Sequence, residues 1–271
     1  MDDARMDDAK PVRRRTALGA ALGIAVSASA AGCGSGATPS TQAQPTSTTK
    51  PSSGSAAGSG SGGGPAPAPS RALPAEVVNG PRDQARVALT FHGQGDPTIV
   101  KQLLTELASG QAHVTVLAVG SWLDAQPALA KLILDGGHDL GNHTQNHAAI
   151  ASMNATQALA EIQACADRLR RVSGSIGTWF RPSQTQHATP LIRAQAAKVG
   201  YPTCLSYDVD SLDYTDPGAA AVTRNTLRSV QNGSIISLHF GHAGTVAAMP
   251  QLLDGLRQRG LKAVTMTELM S

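Results

Sequence analysis

The sequence predicts an α/β fold, a distorted (β/α) barrel of about seven parallel strands forming a single domain over residues 72–271. Three observations predict it. Short apolar runs alternate with helix-period segments along this stretch. The runs are mostly apolar along their length, as in strands covered on both faces. Glycines stand where the helical periods stop, at Gly110, Gly136, Gly200, Gly233 and Gly260. Strict strand and helix alternation implies a parallel sheet covered by helices, and about seven strands suits a barrel or a barrel-like open sheet.

In chain order the expected strands are Val87 to Phe91, His113 to Val119, His138 to Gly141, Thr178 to Arg181, Thr203 to Val209, Ser234 to Phe240 and Leu261 to Thr265. Helical periods fill the gaps: Thr98 to Ala108, Pro127 to Leu134, Ala155 to Val172, Thr189 to Val199, Ala219 to Val230 and Val246 to Arg259. In such folds reactive side chains gather where strands end and loops begin.

Residues 1–32 are of another kind. Arg13, Arg14 and Arg15 precede the mild run "TALGAALGIAVSASA" and the tripeptide "AGC" ending at Cys33. That run is too short and too weakly apolar for a spanning helix, which needs about 20 apolar residues. It reads as an export signal, similar to a bacterial lipoprotein signal with Cys33 as the lipidated residue, or as an ordinary cleaved signal peptide. Residues 33–71 are almost only Gly, Ser, Thr, Pro, Ala and Gln, the composition of a disordered tether. About 40 such residues reach roughly 35 Å, which would hold a domain off a membrane while it searches nearby polymer.

From Leu73 onward, 15 Lys and Arg balance 15 Asp and Glu, so the +3 of the whole chain arises before the domain. A neutral domain argues against nucleic acid or an anionic membrane surface as partner, leaving the lipid anchor as the expected membrane contact. Cys165 and Cys204 remain within the domain, either as a disulfide or as two core residues.

All eight histidines lie in the domain. Polar residues follow the strands: His92 and Asp96 after the first, His143 and His147 after the third, Arg181 at the end of the fourth. Asp208, Asp210 and Asp213 lie around the end of the fifth, and His239 ends the sixth. In a parallel barrel they share one mouth. His143 and His147, four apart in "HTQNH", would share a face on a helical turn, and two imidazoles with one carboxylate make an ordinary catalytic zinc site. A zincin protease would place Glu directly after the first His, where Thr144 stands, so that reading fails.

Together these segments resemble the NodB-type polysaccharide deacetylases, carbohydrate esterase family 4, over Ala88 to about Leu269. "HTQNH" matches the family's H-[ST]-x-x-H metal motif, "FRPS" its R-P motif, "DSLDY" its Asp-aromatic motif and "SIISLH" its terminal histidine motif. The resemblance implies a divalent metal, most simply zinc, on His143 and His147. It further implies His239 as general acid, Asp213 orienting it and favouring its charged form, and Arg181 holding the base. The implied substrate is an acetylated polysaccharide met outside the cell.

Three departures stand out. Ser183 and Gln184 replace the usual proline and aromatic after R-P. Ser237 stands where the family often has Leu. Most consequentially, the family's T-F-D-D-G-P reads "TFHGQGDP", with His92 and Gly93 where the base and the metal-binding carboxylate would be. Asp96, carried back by a flexible "GQG" loop, is the expected third metal ligand, and His92 the expected base, since imidazole titrates near neutrality. The rival reading is a barrel that has lost its base and binds glycans without hydrolysing them.

Overall fold

A computed structural model describes residues 73–271, so the expected signal and tether lie outside the described residues. The strands are β1 (Glu76–Val77), β2 (Arg86–Gly93), β3 (Thr115–Ala118), β4 (Asp139–Asn142), β5 (Cys204–Leu205), β6 (Val209–Asp210), β7 (Ile235–His239) and β8 (Lys262–Val264). The helices are α1 (Pro97–Ser109), α2 (Gly120–Ala125), α3 (Pro127–Asp135), α4 (Ala155–Ser173), α5 (Pro190–Val199), α6 (Ala219–Ser229), α7 (Ala243–Gln258) and α8 (Met266–Leu269).

The sheet runs β4-β3-β2-β7-β6, with β8 beside the first half of β2 and every strand pair parallel. The segment from Cys204 to Asp210 closes the circuit. Its end, β6, pairs with β7, whereas its start, β5, pairs with β1 and reaches β4 through a bridge at Phe180. The expected fifth strand is therefore two short pieces, because the chain changes neighbours midway: Ser206 N–H donates to Val77 O, and Asp208 N–H to Ile235 O. The expected fourth strand shrinks to Phe180, since Gly177 turns the chain at φ +74° before it and Pro182 has no N–H to extend the ladder. β1, α2 and α8 were not foreseen.

Local chemistry explains the helices. α1 starts on an Asp96 N-cap with Pro97 behind it and buries Val100, Leu103, Leu104 and Leu107, one stripe at helical spacing. α4 opens with a reciprocal capping box between Asn154 and Gln157 and closes on Gly174 in the left-handed region. Of the glycines expected to end helices, Gly200 does so in the left-handed region, whereas Gly110 and Gly136 cap with negative φ.

Period-two alternation separates two environments. Val87, Leu89 and Phe91 of β2 join Val116, Ile236 and Leu238 in the core beneath the helices. The opposite face carries Ala88, Thr90 and His92, paired in register with Ile235, Ser237 and His239 of β7. Along the barrel interior the side chains thus change from apolar, through hydroxyl, to imidazole at the strand ends. Cys165 and Cys204 are both buried and free, so the disulfide alternative falls and the core alternative stands.

Candidate active site

His239, the last residue of β7, is held from two directions. Its Nδ1–H donates to Asp213 Oδ1 at 2.7 Å and its backbone N–H to Asp213 Oδ2 at 2.7 Å. Thr245, in the first turn of α7, donates its hydroxyl to the same Oδ2 at 2.7 Å. Burial pushes the Asp213 carboxyl up, but these bonds and the His239 charge outweigh it and hold the group below its ordinary value. Asp213 sits on a short helical turn, Asp213–Thr215, flanked by Leu212 and Asp216 at φ +56° and +50°. Non-glycine residues there cost roughly 1–2 kcal/mol each. The carboxylate's full set of partners offsets that strain, and the tautomer it selects leaves His239 Nε2 to exchange a proton.

His92, the next-to-last residue of β2, lies beside His239, with ring centroids 4.2 Å apart and planes 10° from parallel. Its Nδ1 is 2.8 Å from His143 Nε2, and its Nε2 is 3.0 Å from Ser237 Oγ. His143 Nδ1 lies 2.9 Å from the Arg181 carbonyl, which can only accept, so that nitrogen carries the proton. His147 completes a group in which one ligand atom from each of His92, His143 and His147 lies within 4.8 Å of the others. Burial, followed by the charge of neighbouring imidazoles, pushes all three rings below their ordinary value; Arg181 adds to the effect on His92 and His143. Three uncharged imidazoles with lone pairs to give are a donor set that suits a divalent metal such as zinc.

Two expectations are corrected here. "HTQNH" is not a helical turn: Thr144 and His147 take φ of +68° and +54°. The loop is pinned by Thr144 N–H on Asn142 Oδ1 at 2.8 Å and by Glu161, which accepts from the backbone and side chain of Asn146. The two histidines meet through this loop. Asp96 does not join them. It is exposed and caps α1, with Oδ1 accepting Thr98 N–H at 2.7 Å, and these bonds hold its carboxyl below the usual value. The "GQG" loop is pinned, since Trp122 Nε1–H donates to Gly95 O at 2.9 Å and a Cβ on Gly95 would lie 2.7 Å from Gly241 Cα. His92, expected as the base, instead lies with His143 and His147 in the group whose ligand atoms converge.

The place at which the family carries its metal-binding carboxylate is also closed. A Cβ on Gly93 would meet Val116 Cγ1 at 2.7 Å and Ala118 Cα at 3.0 Å. Arg181 is buried, bonded through Nη2 to Thr90 Oγ1 at 2.8 Å and Ser206 O at 3.0 Å, while its Nη1 has no partner. Burial pushes its guanidinium down to about 10. No nearby carboxylate binds it: Asp96 caps a helix, Asp208 pairs with Arg82 at 2.7 Å, and Asp210 Oδ1 accepts Leu212 N–H at 3.0 Å.

Two cavities meet over the His92 and His239 rings. One of about 430 Å³ is lined by His147, Gln186, Tyr207, Asp210, Tyr214 and Ser237, besides the shared pair. The other, of about 470 Å³, reaches Gln94, Ser121, Trp122 and His242. Trp122 and Trp179 are buried, whereas Tyr214 is 51% exposed at the rim. His242 pairs with Asp216 at 2.7 Å, and His187 with Glu76 at 3.3 Å. Sequence reasoning missed Thr245, Glu161 and the contact of Ser237 with His92. The replacement of Leu by Ser237 beside an inward-facing histidine was the available signal.

A parallel α/β barrel with imidazoles and a carboxylate gathered at one mouth is an arrangement suited to hydrolysis. Residues 79–204 match the family model for polysaccharide deacetylase. Over this stretch the chain is similar to the polysaccharide deacetylases, the NodB-type enzymes of carbohydrate esterase family 4. A peptidoglycan-N-acetylglucosamine deacetylase of Bacillus cereus is 29% identical over 194 residues, covering 70% of this chain and 90% of the relative. The crystal structure of the Bc1960 peptidoglycan N-acetylglucosamine deacetylase superposes with a TM-score of 0.68 at 25% identity, over 72% of this chain and 92% of the other. BA3943, a CE4 family pseudoenzyme from Bacillus anthracis, shares the fold with a TM-score of 0.70 at 20% identity, over 74% and 70%.

Proposed function

We propose that this chain removes acetyl groups from N-acetylated sugars of an envelope polysaccharide, peptidoglycan first, using a divalent metal, most simply zinc, held by His143, His147 and His92. The observation that carries the reading is the Asp213–His239 pair with every hydrogen bond in place, set against three convergent neutral imidazoles.

A divalent ion supplies polarisation of the amide carbonyl and acidification of a water, and with uncharged donors its charge is not offset by a ligand carboxylate. The chain's own residues supply the acid and its support, and the proton lost by the water passes to solvent. His239, as imidazolium, gives its Nε2 proton to the departing sugar amine, which leaves poorly without it. Asp213 keeps that ring oriented and stabilises its charge. Arg181 holds His143 through its carbonyl and adds a fixed positive charge beside the site. The cavities on either side of the imidazoles, lined by Gln184, Gln186, Thr185, Ser121 and exposed Tyr214, supply hydroxyl-seeking and stacking groups suited to a neutral glycan.

The same reading places the domain outside the cell, tethered through Cys33 or released by signal cleavage. Among the described residues no helix is long and apolar enough to cross a membrane. One observation favours a second reading, a domain that binds glycans without hydrolysis: Arg181 Nη1 is buried with no carboxylate to hold.

Acetate release from N-acetylated glycan fragments by the full chain, with and without a chelator, decides between them. Chelator-sensitive release that His239→Ala lowers by about 10²–10⁴-fold supports the deacetylase. Fragment binding without any acetate release supports the second reading.

A further inference from the structure

For neutral rings the contact between His92 and His143 has one consistent proton arrangement. The Arg181 carbonyl fixes the His143 proton on Nδ1, so His143 Nε2 presents a lone pair. The 2.8 Å contact then requires that His92 Nδ1 carry a proton and donate it there. With the buried ring neutral, His92 Nε2 is left with a lone pair, and Ser237 Oγ at 3.0 Å is its donor. In this arrangement two lone pairs that a metal would need are engaged: one accepts a proton, and the other belongs to a nitrogen that carries one.

Metal binding requires the reverse. His92 must release the Nδ1 proton and carry one on Nε2, which keeps the ring neutral and only changes its tautomer. The group facing Nε2 must then accept where it previously donated. A hydroxyl does both by rotating, whereas an aliphatic side chain does neither. Ser237 is almost fully buried in the middle layer of the barrel interior, in register with Thr90 of β2 and Asp210 of β6.

We propose that Ser237 is the positioning residue that converts His92 from a proton donor to His143 into a metal ligand, by reversing its hydrogen bond to His92 Nε2. This rests on the reading of the three histidines as a metal centre and assigns to a buried hydroxyl the partner role that metal-bound imidazoles need on their other nitrogen. It also accounts for a serine at a place where the family often has Leu: a leucine there would leave His92 Nε2 facing methyl groups in both tautomers.

The test compares Ser237→Thr with Ser237→Val in the full chain, two β-branched side chains of the same shape that suit a strand and differ in the hydroxyl. Zinc affinity is read by competition with a chromogenic chelator, and the donor set by the visible absorption of the Co²⁺-loaded protein. Ser237→Thr should stay within a few-fold of the parent, and Ser237→Val should bind about 10–100-fold more weakly, with an altered Co²⁺ spectrum. Equal affinities and spectra for the two variants would overturn the role of Ser237 and leave the metal centre standing. No zinc binding by the parent chain would overturn both. Nitrogen-15 shifts of His92 in the parent give a second readout without any substitution: the proton should lie on Nδ1 without zinc and on Nε2 with it, and an unchanged tautomer would refute the proposal.

Discussion

The two halves of the mouth are built on neighbouring strand ends, yet they keep the family pattern very differently. On the β7 side, His239, Asp213 and Thr245 form a closed set in which both carboxylate oxygens have donors. On the β2 side both carboxylates of the first motif are absent, an imidazole fills one place, and the arginine behind them has an idle Nη1. The acid half depends on a buried charge, which is costly unless every lone pair is met, so it tolerates little change. The proposed metal half depends on lone pairs, which a neutral imidazole supplies as well as a carboxylate does, so such ligands can be exchanged.

Three substitutions would break or sharpen that contrast. The largest effect is expected from His143→Ala, which removes the donor whose proton is pinned by the Arg181 carbonyl; calorimetric titration with zinc should show binding lost, with the Asp213–His239 pair intact by NMR. Next, Asp213→Asn should lower acetate release by about 10²–10⁴-fold while leaving zinc affinity alone. The same change should alter acid stability. The Asp213 carboxyl lies below its ordinary value when folded, so its stabilisation is present above the unfolded carboxylate pKa of about 3.9 and is lost as pH falls through the lower folded value. Denaturant titrations between neutral and acid pH should therefore be flatter for Asp213→Asn than for the parent. The smallest effect is expected from Asp96→Asn, which keeps a good helix cap and should leave zinc affinity within about a factor of two. A large loss there would return Asp96 to the metal site and undo the contrast.

The Asp213–His239 pair was legible in the sequence because its members are short polar interruptions near apolar strands, and the residues at strand ends of a parallel barrel have one place to go. His143 and His147 were legible as partners, but not the way they meet: the left-handed conformations at Thr144 and His147 are held by Asn142 and Glu161, and no local propensity announces them. Asp96 misled because "GQG" reads as slack. Its slack is removed by Trp122 and Gly241, which lie far along the chain, and the carboxylate goes to the nearest unsatisfied helix N–H groups. The barrel itself was legible from alternation. The split of the fifth strand was not, because it reflects a change of neighbours rather than a change of composition.

Gly93 also constrains how the mouth can be rebuilt. Side chains larger than hydrogen are barred there by Val116 and the β3 backbone, so placing a carboxylate at that position would first require β3 to give way. A lone Gly93→Asp change would clash before its oxygens could reach anything. The packing behind the motif therefore closes one position to redesign and leaves the neighbouring His92 as the place where the mouth can be varied.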